Sequence, residues 1–264
     1  MRRLSIALVV LIAASASAQK NPSSNFMDNC NRNNGNDERF CEERNFTMPA
    51  SQMLNVDGRS NGGITVHGWD KSSIQVIAMI QASARTEAEA QTLARQVNVL
   101  TNGAEIRSAG PATNGDRQSW SVSYEIWVPR HTNLSLASTN GGLSVDSIDA
   151  KMELETVNGG LALVDVDGDV HGSTTNGGIT ARLSGERWRG AGLDLRTSNG
   201  GVHLYLPSNY SANLETGTTN GSLNLGFPVA VRGDIGRHVS TQLGSGGAMI
   251  RAITTNGGVS ITRS

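Results

Sequence analysis

Ser138-Thr139-Asn140-Gly141-Gly142-Leu143-Ser144-Val145 decides the fold, because it comes back. Eighteen residues on stands Thr156-Val157-Asn158-Gly159-Gly160-Leu161-Ala162-Leu163, and eighteen later Thr174-Thr175-Asn176-Gly177-Gly178-Ile179-Thr180-Ala181. The motif recurs at Asn199-Gly200-Gly201 and Asn256-Gly257-Gly258. An early copy sits at Asn61-Gly62-Gly63, and Asn220-Gly221-Ser222 is a variant. From Asn140 the spacings are 18, 18, 23, 21 and 36, the last being twice 18, which reads as a missing repeat between Asn220 and Asn256. Asn tolerates the left-handed backbone region and Gly enters it freely, so the pair is expected at tight turns that need positive φ.

After each turn the residues alternate. Leu143 and Val145 point one way and Ser144 the other, and the same holds for Leu161 and Leu163, Ile179 and Ala181, Val202 and Leu204, and Leu223 and Leu225. Period two marks a half-buried strand. A second run follows midway through each unit, with Met152 and Leu154 between Lys151, Glu153 and Glu155, and Leu193 and Leu195 between Asp194 and Arg196. Each unit of about twenty residues therefore holds two strands and two turns. Alone it cannot bury its apolar face, and stacking gives a continuous core. The expected fold is all-β, a β-solenoid or elongated two-sheet β-roll. A compact sandwich or barrel is the alternative.

Upstream the period changes. Ala90, Leu93, Ala94 and Val97 form a helical stripe, with Thr86 and Glu89 as a capping box. One short helix over about 86–99, ended by Asn102-Gly103, is expected to cap an otherwise open stack. Trp120, Val122, Tyr124, Ile126 and Val128 then read as a strand closed by Pro129, and the regular repeats run over about 134–264. Of 264 residues, 31 are Gly and 4% are aromatic, while 22 Lys+Arg against 23 Asp+Glu leave a net charge of -1. That balance gives no electrostatic argument for nucleic acid as a partner.

Residues 1–18 read as a secretory signal peptide: Arg2 and Arg3, an apolar run to Ala13, then Ala16-Ser17-Ala18 before the cut. No later stretch is apolar enough to span a membrane. Residues 19–45 form a segment carrying both cysteines, and 46–264 read as one β-repeat domain. In an exported chain Cys30 and Cys41 are expected to form a disulfide. The implied location is the periplasm, the cell surface or the medium.

Together these features resemble a bacterial β-strand-repeat family of unknown function whose members are often labelled adhesins. The likeness rests on the cysteine pair ending in Cys41-Glu42-Glu43-Arg44, on Asn61-Gly-Gly-Ile-Thr-Val-His-Gly-Trp69-Asp70, on the Glu/Ala-rich helix, on Val128-Pro129-Arg130, and on the Thr-x-Asn-Gly-Gly ladder. It covers about Cys41 to Ser264. It implies an exported, surface-exposed domain and supplies no catalytic residue.

Chemistry-bearing patterns are sparse. Asp165-Val166-Asp167-Gly168-Asp169 groups three carboxylates, but the order of a calcium loop fails, and Asx turns account for it. His67, His131, His171, His203 and His238 lack metal-ligand spacing. Gly244-Ser245-Gly246-Gly247 looks like one more turn, with no Lys after it to hold a phosphate. Trp69 reads as a lid on the first strand, and Trp127 faces solvent or the helix. Trp188, in a charged insertion, is the candidate ligand contact, weighed against folding over a neighbouring rung. The expectation is a protein without cofactor, metal or catalytic residues. It would be an adhesin-like surface protein whose partner is a cell-surface protein or glycan. The alternative is a carbohydrate-binding module or carbohydrate-active enzyme on the same scaffold.

Overall fold

In a computed structural model the alternating runs are strands. It describes residues 26–27, 30, 37–113, 117–228 and 236–263. The expected signal peptide lies outside the described residues. Strands β1 (Glu38–Pro49), β2 (Met53–Asp57), β3 (Ile64–Trp69) and β4 (Ser73–Ala84) precede helix α1 (Glu87–Gln96). Then come β5 (Asn98–Asn102), β6 (Glu105–Ala109), β7 (Ser119–Pro129), β8 (Asn133–Ser138), β9 (Leu143–Asp146), β10 (Asp149–Thr156) and β11 (Leu161–Val164). The rest are β12 (Asp167–Thr174), β13 (Ile179–Arg182), β14 (Gly192–Asn199), β15 (Val202–Leu206), β16 (Ala212–Asn220), β17 (Leu223–Leu225), β18 (His238–Leu243), β19 (Met249–Asn256) and β20 (Val259–Arg263).

The strands form two ten-stranded sheets. Sheet A runs β1-β4-β7-β3-β9-β11-β13-β15-β20-β17, and sheet B runs β18-β16-β19-β14-β12-β10-β8-β2-β6-β5. Each rung gives one strand to each sheet, and successive rungs pair in parallel. Leu161 lies beside Leu143 on one side and Ile179 on the other, and Leu154 lies between Leu136 and Gly172. This parallel stacking is a β-roll and not the sandwich or barrel. The apolar residues of both sheets, among them Leu143, Val145, Met152, Leu154, Ile179 and Leu195, meet in one buried core. Fully burying such a side chain is worth roughly 1.5–3 kcal/mol.

Rung order departs from chain order at both ends. The rung β19/β20 sits between β14/β15 and β16/β17, so Asn256 fills the place next to Asn199. The 36-residue interval therefore contains no missing repeat. After β17 the chain lays down β18 antiparallel to β16 and then returns to fill a rung it had skipped. Likewise β2/β3 lies between β6/β7 and β8/β9.

The helix is shorter than the stripe suggests. Thr86 caps α1, its Oγ1 accepting from the Glu89 N–H at 3.3 Å, but Val97 is already extended, with ψ 124°. Val97, Asn98 and Val99 are poor helix formers, and Asn98 begins a hairpin. Asn102-Gly103 turns β5 into antiparallel β6 and does not end the helix; Gly103 has φ 62°. Ala90, Leu93 and Ala94 are buried as α1 packs against β1 and β4. Arg44 of β1 donates to the carbonyls of Val97 at 2.5 Å and Ala94 at 3.2 Å, satisfying the last turn. No helix among the described residues is long and apolar enough to cross a membrane.

Candidate functional surface

The Asn-Gly-Gly corners line up along one side of the stack, and each residue type has its own task. The Asn side chains form a column on the surface. Each Nδ2 donates to the Oδ1 of the next Asn toward the N-terminal end, at 2.7–3.0 Å, in the spatial order Asn61, Asn140, Asn158, Asn176, Asn199, Asn256, Asn220. Two residues before most of these Asn, a second column runs inside. Ser138, Thr156, Thr174, Thr197, Thr254 and Thr218 are each at most 7% exposed. Each hydroxyl donates at 2.7–2.8 Å to a glycine carbonyl of the adjacent rung. The sequence shows the recurring Thr, but not that it is a buried donor.

The reason for the glycines differs from the expected one. No corner Asn has positive φ, and of Gly62, Gly141, Gly159, Gly177, Gly200, Gly221 and Gly257 only Gly257 does, at 157°. What excludes a side chain is crowding. A Cβ on Gly159 would lie far inside contact with the Gly141 carbonyl, and one on Gly177 would do the same to Gly159. The second glycine is freer: a Cβ on Gly178 would lie 3.5 Å from the nearest carbonyl. Ser222 takes that place in the variant corner. Positive φ is used at the opposite corners, by Ser147 at 59° and Asp165 at 51°.

Outward from the corners, sheet A presents rows of aligned side chains. Thr65, Ser144, Ala162, Thr180, His203 and Ser260 form one row across adjacent strands. The next row runs Trp127, His67, Asp146, Val164, Arg182, Tyr205 and Thr262. His67 stacks on Trp127 at 5.2 Å between ring centroids, and Trp127 lies 6.5 Å from Trp69. Arg182 covers Tyr205 at 3.9 Å. The densest chemistry is at His67: its Nδ1 meets Asp146, and its Nε2 lies 3.3 Å from Glu125. The bond to Asp146 raises the imidazole pKa above its ordinary value. Burial raises that of Glu125, whose side chain is 3% exposed and whose Oε2 has no hydrogen-bond partner among the described residues. No sequence spacing announces this cluster, because its members come from three strands.

The other singled-out residues do not converge. Trp188 is 4% exposed, and its indole N–H donates to the Gly168 carbonyl at 2.9 Å; it folds over a neighbouring rung. Asp167 is held by Arg189 at 2.6 Å, Asp169 lies 3.2 Å from His171, and Asp165 accepts from Ser184. These carboxylates face separate partners, and no group of three metal-binding side chains occurs among the described residues. His131 contacts the Asp149 carbonyl at 2.9 Å, and His238 begins β18. Gly244-Ser245-Gly246-Gly247 is the turn from β18 to β19, with φ 53° at Gly244 and 77° at Gly246. Cys30 and Cys41 are joined, with Cα atoms 6.2 Å apart.

A family model described as Toastrack DUF4097 matches residues 55–262. No curated protein matches. Among solved structures, a candidate cell adhesion protein from Clostridium sporogenes is similar at a TM-score of 0.49 and 10% identity, over 84% of this chain and 100% of the other. A candidate adhesin from Bacteroides fragilis gives 0.37 at 10% identity, over 85% and 97%. A candidate lipid binding protein from Parabacteroides distasonis gives 0.36 at 11% identity, over 88% and 98%.

Proposed function

Because the chain belongs to the Toastrack DUF4097 family, we propose that it is an exported, non-enzymatic surface protein of adhesin type. Its stacked rungs would hold a flat polar face toward partners in the cell envelope or beyond. The observation that carries this reading is the outer row of sheet A, where side chains from Thr65 to Ser260, all small except His203, stand in register on rigid parallel strands. Rungs about 4.8 Å apart repeat a hydroxyl or other small group many times over. Individually weak contacts then add through multivalency. The Cys30–Cys41 bond supports an oxidising compartment. With Trp188 buried, a glycan-binding role would fall to Trp69, Trp127 and His67.

Beads coated with the protein should be retained on mucin or peptidoglycan surfaces several times better than beads carrying a Ser144→Lys/Thr180→Lys variant. Equal retention would remove the sheet A face from the reading. Hydrolysis of either polymer by the pure protein would remove its non-enzymatic part.

A further inference from the structure

The Asn column has a direction, and its N-terminal end opens on a cavity. All six bonds point the same way, so Asn61 accepts from Asn140 while its own Nδ2 has no partner among the described residues. Aligned amide dipoles leave the positive end of the column at Asn61, as aligned peptides do at a helix N-terminus. Beside it lies a cavity of about 310 Å³, lined among others by Arg59, Asn61, Ser108, Trp120, Ser121 and Val122. That volume is at the lower end of ligand pockets.

The lining is rich in donors. The Arg59 guanidinium is bridged to a single carboxylate, Asp57, at 3.3 Å, with both side chains 44% exposed. Arg59 also holds φ 54°, a conformation that glycine would adopt without strain. The unpartnered Asn61 amide, a guanidinium and a positive dipole end call for an acidic ligand. Hydroxyls and an amide around Trp120 suit a sugar body better than a peptide side chain. We propose that this cavity binds the carboxylate of a uronic-acid residue, the carboxylate at Asn61 and Arg59 and the ring toward Trp120. The proposal deepens the reading of the protein as a surface-binding module and rests on it.

Isothermal titration of the oxidised full-length mature protein with trigalacturonate tests the proposal. Galactotriose and a tripeptide with a free C-terminus serve as comparisons. Trigalacturonate should bind at least tenfold more tightly than either. Arg59→Gly, which relieves the backbone at φ 54°, should keep the melting temperature and lose at least tenfold in affinity, as should Asn61→Asp. Equal affinity for galactotriose, preference for the tripeptide, or unchanged binding by Arg59→Gly would each overturn the site. If bead retention persists without trigalacturonate binding, the site fails and the surface reading stands. If trigalacturonate binds and is cleaved, the site stands and the non-enzymatic reading fails.

Discussion

At Gly159 two rungs touch backbone to backbone, and that contact fixes what the corner tolerates. Gly159→Ala should destabilise by about 3 kcal/mol, because backbone must move to admit the methyl. Gly178→Ala, with 3.5 Å available, should change stability by less than about 1 kcal/mol. Urea unfolding of the two variants measures the difference, and equal effects would show that crowding does not select the first glycine. Thr174→Val should cost about 1–3 kcal/mol by stranding the Gly159 carbonyl, and Thr174→Ser should recover most of it. Ser138 already makes the equivalent bond. The His67 cluster gives a pH dependence. Asp146 raises the His67 pKa, so this contribution is complete below the unfolded value of about 6.5 and is lost as pH rises through the folded value. Burial also raises Glu125, so its contribution is complete below its unfolded value and is likewise lost on going up. Both signs agree: unfolding free energy should fall between about pH 5 and pH 8, and His67→Gln should flatten the upper part of that slope. A flat profile in the parent protein would refute the coupling. The importance of Asn-Gly was legible in the sequence because it recurs. Its cause was not, because close approach between rungs and an amide column are contacts between residues eighteen or more apart, whereas a φ argument sees only neighbours.

Elements were legible where their period was pure. Met152 to Leu154 and Val122 to Val128 became the strands their alternation implied. The boundary at Val97 was less so, because its apolar side chain continues the helical stripe while its backbone already turns into β5. The order of the rungs was not legible at all. The 36-residue gap and the two 18-residue gaps look alike as spacings, and only pairing reveals that β19/β20 is internal. This has a direct test. Ending the chain at Ala248 removes an internal rung, so β16 and β17 lose the strands that join them to the stack, and β18 is left paired to β16 alone. Limited proteolysis should then leave a resistant core ending near Leu206. Protection extending through Leu225 would contradict the interleaved order.

For the whole molecule, the open ends of a parallel stack are its hazard. The N-terminal end is closed by the charged edge strand β1 and by α1, and Cys41 of β1 carries the bond to Cys30. The oxidised protein should give no free thiol on labelling, and two reactive thiols would refute the bond. Closing so short a loop contributes about 3 kcal/mol at most in the loop-entropy model. The C-terminal end is closed by the short β17, only three residues long, and antiparallel β18. The interleaved order also bears on how the protein is made. A chain that emerges from its N-terminus delivers β16 and β17 before the residues that join them to the rest of the stack. The distal part must wait, with an apolar row uncovered, until β19 and β20 have followed. A chain held back between β18 and β19 is by construction an unfinished one.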